Sequence, residues 1–213
     1  MQGIPLNERK RLGALLDDRP QAEVMAMIPQ FSQAETDNFV APPAQIPEAL
    51  GVLMFNMERG VNLPEIQEFL RDCPDIQPFD VILANELDDG CARSGNKNTA
   101  RELAQAFGLN YAWGLEFIEL VNDENAKGFH GNAVFSRWPI RRAGVIRLPE
   151  QYNWYFDRQK RIGGRLAVFA ELDVGGQPVG AVSIHLENRT HGEGRKAQMA
   201  AILEDVRKEL PDM

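Results

Sequence analysis

Between Leu6 and about Gln33, Leu, Ala and Met recur at helical spacing among charged residues, with Asp17, Asp18 and Pro20 as a break, which predicts two short helices. Pro42, Pro43 and Pro47 exclude helix or central strand from Phe39 to Pro47, so that stretch reads as an extended connector. Residues 1–47 are therefore expected to form a helical extension with a Pro-rich connector, and 48–213 the main domain.

From Gly51 the rhythm changes to strand, helix, strand, helix. Val52 to Phe55 is a short apolar run ending in Asn56, and Val81 to Ala84 is another, ending in Asn85 and Glu86. Asn62 with Glu65, and Thr99 with Glu102, have the spacing of capping boxes for two helices, one closed by Pro74 and the other by Gly108. This alternation argues for an α/β fold. Tyr111, Trp113, Leu115 and Phe117 then alternate with Ala112, Gly114, Glu116 and Ile118, the period of a sheet with one buried face. Gly131 to Ser136 is a further strand. Leu166–Leu172 and Val179–Ile184 flank Gly175 and Gly176 as an antiparallel hairpin, and Glu193–Leu210 carries Met199, Ile202, Leu203 and Val206 on one helical face for packing.

Composition narrows the partners. A chain of 213 residues with 44% hydrophobic and 25% charged residues can bury a substantial core in one large domain. The formal charge of -8 gives no basic field over the whole surface, so contact with nucleic acid or phosphate has to be local or metal-bridged. Cys73 and Cys91 lack metal-type spacing and read as reduced thiols. No apolar run reaches membrane-spanning length, and the N-terminus lacks a secretory apolar region, so a cytoplasmic location is expected.

Three strand ends carry candidate chemistry: Asn56, Glu86, and His185 after the run Val179–Ile184. If the three strands lie side by side and share direction, an amide, a carboxylate and an imidazole meet at one sheet edge, where α/β sheets place ligands. That arrangement suits metal-assisted hydrolysis. Each residue also has a plain structural explanation. Glu86 beside Asp88 and Asp89 reads equally as a solvated turn carboxylate, Asn56 as a side chain satisfying its own turn, and His185 as a hydrogen-bonded strand end. The loop from Cys91 to Asn98 concentrates donors; Arg93 and Lys97 either clamp a substrate phosphate or belong to a solvated loop.

With these residues in view, the chain resembles the endonuclease/exonuclease/phosphatase superfamily, the deoxyribonuclease-I-like metal hydrolases. The carrying motifs are Phe55-Asn56, Asn85-Glu86 where the family usually has Gln-Glu, Gly131-Asn-Ala-Val-Phe-Ser-Arg137-Trp-Pro-Ile140, and Val182-Ser-Ile-His185-Leu-Glu-Asn188, with Arg195 and Gln198 following. The resemblance runs from about Leu50 to the C-terminus. It implies an α/β (α+β) four-layer sandwich, two packed mixed or antiparallel sheets flanked by helices. It further implies hydrolysis of a phosphate ester with Mg²⁺ or Mn²⁺ held by Glu86 and Asn56. His185, Asn56 and Glu86 are then catalytic, and Arg93, Asn132, Arg165 and Asn188 contact substrate. Mg²⁺ needs few protein carboxylates, because waters and phosphate oxygens complete its shell.

The family's later Gly-Asp-x-Asn strand end and Asp-His pair are absent before the sequence stops at Pro211-Asp-Met213. The expectation is a partial hydrolase domain with its C-terminal strands missing, inactive or weak alone, with unpaired sheet edges open to another chain. A catalytically inactive binding module on the same fold is the alternative. Nucleic acid, phospholipid and small phosphoester substrates stay open.

Overall fold

The computed structural model describes residues 1–211; Asp212 and Met213, in the segment where the sequence was expected to break off early, lie outside them. Chain order is α1 (Leu6–Leu15), α2 (Gln21–Ala26), β1 (Ala34–Asp37), β2 (Val52–Arg59), α3 (Leu63–Asp72), β3 (Val81–Asp89), α4 (Thr99–Phe107), β4 (Asn110–Glu119), β5 (Phe129–Ser136), β6 (Ile140–Arg147), β7 (Arg161–Gly163), β8 (Leu166–Val174), β9 (Gln177–Ile184) and α5 (Gly192–Glu209). The first sheet runs β1-β4-β5-β3-β2, with β7 added on β4, and the second runs β6-β8-β9. Among the described residues, only β2 and β3 pair in parallel; every other ladder is antiparallel.

The two sheets pack face to face. Val81, Ala112 and Val134 from the first meet Leu166, Val168, Ala170 and Leu172 from the second. Their approach is close at Gly114, where a Cβ would come within 2.6 Å of Val145 Cγ1 and 2.9 Å of Val168 Cγ2. On the outer face of the first sheet, Leu12, Val24, Leu70 and Leu103 from the helices cover Ile82, Leu87, Tyr111 and Trp113. Ile202 of α5 covers Ile146 and Phe169 of the second sheet. Helix, sheet, sheet and helix make four layers, as the resemblance implied. Burial of each such aliphatic side chain stabilises the fold by about 1.5–3 kcal/mol.

The segment read as an N-terminal extension packs into the same core. Ile4, Leu12, Leu16, Val24, Ile28 and Phe31 belong to one apolar cluster with Met57, Ile82 and Trp113. β1, which has no apolar alternation to announce it, pairs with β4 from Ala34↔Gly114 to Asp37↔Tyr111.

Local details depart from the sequence reading in two places. The α4 cap is Asn98, whose side chain accepts from Arg101 N at 2.9 Å, while Thr99 lies inside the helix and donates to Asp88 O at 2.8 Å. Asn62 caps α3 without a side-chain bond. All ten residues of β4 are buried, because sheets need both faces covered when helices and a second sheet sandwich them.

β2 is an edge strand with an uneven covering. Leu53 and Phe55 pack on the helical side. Val52 and Met54, opposite Val81 and Leu83 in register, face the side of the second sheet but are 59% and 75% exposed, because β9 packs chiefly over β3 and β5. Cys73 and Cys91 are both free. Among the described residues, no helix is long and apolar enough to cross a membrane.

Candidate active site

Three ladders lose register at the same end of the first sheet. On β3, Asn85 and Glu86 together oppose Asn132, because the pairing jumps from Ala84↔Ala133 to Leu87↔Gly131. On β4, Glu116 is the inserted residue between Leu115↔Gly131 and Phe117↔His130. On β2, the jump runs from Asn56↔Asn85 to Arg59↔Leu87. A bulge re-aims the side chains that follow it. Two carboxylates that strict alternation would handle as ordinary strand residues therefore occupy inserted positions.

Glu86 has φ +59°, a conformation that costs a non-glycine residue about 1 kcal/mol or more. Asn132 secures it: its Oδ1 accepts from Glu86 N at 3.1 Å. Asn132 was expected to contact substrate, yet it is fully buried and acts first on the Glu86 backbone.

The strand of His185 does not share a sheet with β2 and β3, contrary to the side-by-side arrangement expected from sequence. It comes from the second sheet, and a polar clamp brings the layers together. Ser183 Oγ donates to Ala84 O at 3.0 Å and to Asn85 Oδ1 at 3.2 Å, and Asn85 Nδ2 donates to Ile184 O at 3.1 Å. His185 Nε2 consequently lies 3.8 Å from Glu86 Oε1, both side chains partly exposed.

Arg165 sits behind the imidazole. Its Nη1 donates to His185 Nδ1 at 2.9 Å and to Glu116 Oε1 at 3.2 Å, and its Nε pairs with Glu187 at 3.3 Å. A guanidinium can only donate, so Nδ1 of His185 accepts and Nε2 carries the proton toward Glu86. Burial pushes the Glu116 carboxyl up, but the charge of Arg165 together with the neighbouring His185 and His130 outweighs it and holds the group at about 2. Arg165 was placed on substrate by sequence; it lines the cavity while holding these three partners.

His130 is buried on β5 and lines the same cavity. Its Nδ1 is 2.9 Å from Asp88 Oδ1 and its ring stacks on Phe117. Burial raises Asp88, yet hydrogen bonds from Arg93 and His130 more than offset it and leave the carboxyl at about 2.

Arg93 is already engaged by the fold. It was expected to clamp phosphate, but it bonds Asp88 at 2.7 and 2.8 Å and Glu119 at 3.1 Å, in a neighbouring cavity with Cys91 and Asn125. Lys97 pairs with Glu102 at 3.0 Å. Asn56 is exposed, and its Oδ1 accepts from Glu58 N at 2.9 Å, the turn-satisfying arrangement open to it from the start. Asn188 is exposed and lines the cavity beside Arg189.

The cavity has a volume of 430 Å³ and is lined by Glu86, His130, Trp154 and five arginines. Two buried polar atoms at this end of the sheet, Glu116 Oε2 and Asn132 Nδ2, have no hydrogen-bond partner. Such orphans call for a ligand or water. Glu116, His130, Asp88 and Arg59 were all missed by sequence reasoning. The one available signal was Glu116, a lone carboxylate amid the apolar run Tyr111–Ile118.

No protein-family model and no curated protein sequence matches the chain. Among solved structures, it is similar to an endonuclease/exonuclease/phosphatase from Beutenbergia cavernae DSM 12333, with TM-score 0.53 and 22% identity over 72% of this chain and 43% of that one. It is also similar to an endonuclease/exonuclease/phosphatase family protein from Leptotrichia buccalis C-1013-b, with TM-score 0.50 and 20% identity over 74% of this chain and 63% of that one. The fold is therefore that of the endonuclease/exonuclease/phosphatase proteins, the deoxyribonuclease-I-like sandwich. The chain spans 43% and 63% of the length of the two proteins it matches.

Proposed function

We propose that this chain binds a phosphate ester through a divalent ion, Mg²⁺ or Mn²⁺, on Glu86, and acts as a phosphoester hydrolase. The observation that carries this reading is the meeting of Glu86 with the Nε2 of His185, 3.8 Å apart, at an arginine-lined cavity. The donor set suits a hard cation that keeps most of its waters: one half-open carboxylate, with the amide oxygen of Asn56 on the adjacent strand. No cluster of three His, Cys, Asp or Glu side chains occurs among the described residues, which disfavours a closed, zinc-like site.

When bound, such an ion neutralises charge developing on the phosphoryl oxygens. The chain's own residues do the rest. His185 donates from Nε2 to a phosphoryl oxygen, and Arg165 holds its ring in that tautomer. Asn132 and the β3 bulge aim Glu86. The other carboxylate lining the cavity, Asp157, accepts from Tyr152 Oη at 2.9 Å and Gln159 N at 3.1 Å, and pairs with Arg189 at 3.5 Å. So engaged, it is a poor base for activating water, and turnover by this chain is expected to be weak.

The test is Mn²⁺ binding by electron paramagnetic resonance, alongside hydrolysis of bis(p-nitrophenyl) phosphate. Mn²⁺ binding that is lost in Glu86→Gln supports the reading, and binding that survives the substitution ends it. Metal-dependent turnover lost in the same variant makes the chain an enzyme; metal binding without any turnover makes it a binding module.

A further inference from the structure

The arginines of the cavity divide into two sets. Arg165 and Arg161 are neutralised from behind, by Glu116 and Glu187 and by Glu119 at 2.9 Å. Arg59 and Arg158 are not, and Arg189 is only in part. Arg59 Nε is buried without a hydrogen-bond partner, and Arg158 is exposed and makes no ion pair among the described residues. Arg189 lies 3.5 Å from Asp157, a carboxylate already accepting from two other groups.

The backbone holds Arg59 in place by a strained route. Glu58, Arg59 and Gly60 have φ of +46°, +68° and +68° in succession, directly after the β2 bulge. A Cβ on Gly60 would come within 2.8 Å of Thr99, so the turn is pressed against α4. Strain of this kind persists where the surroundings enforce it, and it clusters at ligand clamps. Arg59 stands in register with Leu87, one residue beyond Glu86. An unneutralised guanidinium is thereby fixed beside the proposed metal ligand, with the unpaired Arg158 and the partly neutralised Arg189 lining the same cavity.

Two unpaired guanidiniums and a third that shares its carboxylate with two other donors, in one cavity of a chain with a net charge of -8, are not explained by holding a single scissile phosphate. We propose that the cavity is built for a substrate with two phosphates, the second being a non-reacting group held by Arg59 together with Arg158 and Arg189. Planar guanidinium forks suit phosphate oxygens, and the 430 Å³ volume admits a nucleotide-sized ligand. The inference rests on the metal-hydrolase reading only for which phosphate reacts.

Equilibrium binding tests it on the full chain in chelator, with adenosine 3′,5′-bisphosphate and adenosine 5′-monophosphate as probes. The bisphosphate is expected to bind about tenfold more tightly. Arg59→Gln and Arg189→Gln should each shrink that ratio, and Glu86→Gln should leave it intact. Arg189 is exposed, so its variant folds even if Arg59→Gln does not. Equal affinity for the two probes, or a ratio that survives both arginine substitutions, overturns the proposal. A 5′-phosphorylated diadenylate separates the sources of the second phosphate: affinity equal to the bisphosphate points to a polynucleotide backbone, and weaker affinity to a small bisphosphate. Loss of Mn²⁺ binding is read independently, so either proposal can fail while the other stands.

Discussion

Arg165 Nη1 donates to His185 Nδ1 at 2.9 Å, and that one bond decides which ring nitrogen faces Glu86. The same guanidinium neutralises two buried carboxylates, Glu116 and Glu187. Orientation and stability are thus joined in one side chain. Removing one partner of a buried ion pair costs about 3–5 kcal/mol, because the remaining charge is left without compensation. Arg165→Met should lower the unfolding free energy by that order in urea titrations, and Arg165→Met combined with Glu116→Gln should recover part of it. A loss below about 1 kcal/mol in the single variant contradicts this arrangement.

Asp88 and Glu116 set an acid limit. Both have folded-state pKa values of about 2, below their ordinary 3.8 and 4.5. Depressed carboxyl values mean that the unfolded chain takes up protons first as pH falls. Their contribution is complete above about pH 5 and disappears between there and about pH 2, at about 2–3 kcal/mol for each group. Guanidinium unfolding at pH 6 and pH 3 should show the difference, and Asp88→Asn should flatten it. An Asp88→Asn protein with the parent's pH slope would remove Asp88 from the account.

Glu86 holds its left-handed backbone against its own preference. Asn tolerates φ near +60°, so Glu86→Asn should raise stability by about 0.5–1 kcal/mol while abolishing Mn²⁺ binding. Thermal unfolding and metal titration on the same sample check both halves. A destabilised variant would mean that the carboxylate itself is needed by the fold.

Gly114 permits the sheets to approach. Gly114→Ala should cost about 1–3 kcal/mol by pressing a methyl group against Val145 and Val168, both anchored in strands. An unchanged urea midpoint would show that the second sheet shifts freely, which the packing of β6 and β8 opposes.

The layered architecture was legible because apolar runs, their terminators and the motifs around Glu86, Asn132 and His185 are local features of the chain. So was the pairing of Glu86 with His185, though the route differs: a clamp through Ser183 and Asn85 across two sheets, in place of neighbouring strands. What sequence could not provide were the bulges. A one-residue insertion leaves no mark on composition, yet it turns Phe117 from the helical side, where alternation placed it with Tyr111 and Trp113, toward His130. β1 was equally silent, because Ala34-Glu-Thr-Asp37 has no apolar stripe and exists only through its pairing with β4. Arg93 shows what a local reading leaves out. Its position in a donor-rich loop suggested ligand contact, and only the fold places Asp88 and Glu119 beside it.

The bare side of β2 has a practical outcome at the bench. Met54 and Val52 offer a greasy shelf in the fully folded molecule. Environment-sensitive dyes that light up on contact with hydrocarbon will therefore fluoresce before any heating begins. A melting curve followed with such a dye will start bright and understate the cooperativity of unfolding, whereas circular dichroism will report it faithfully.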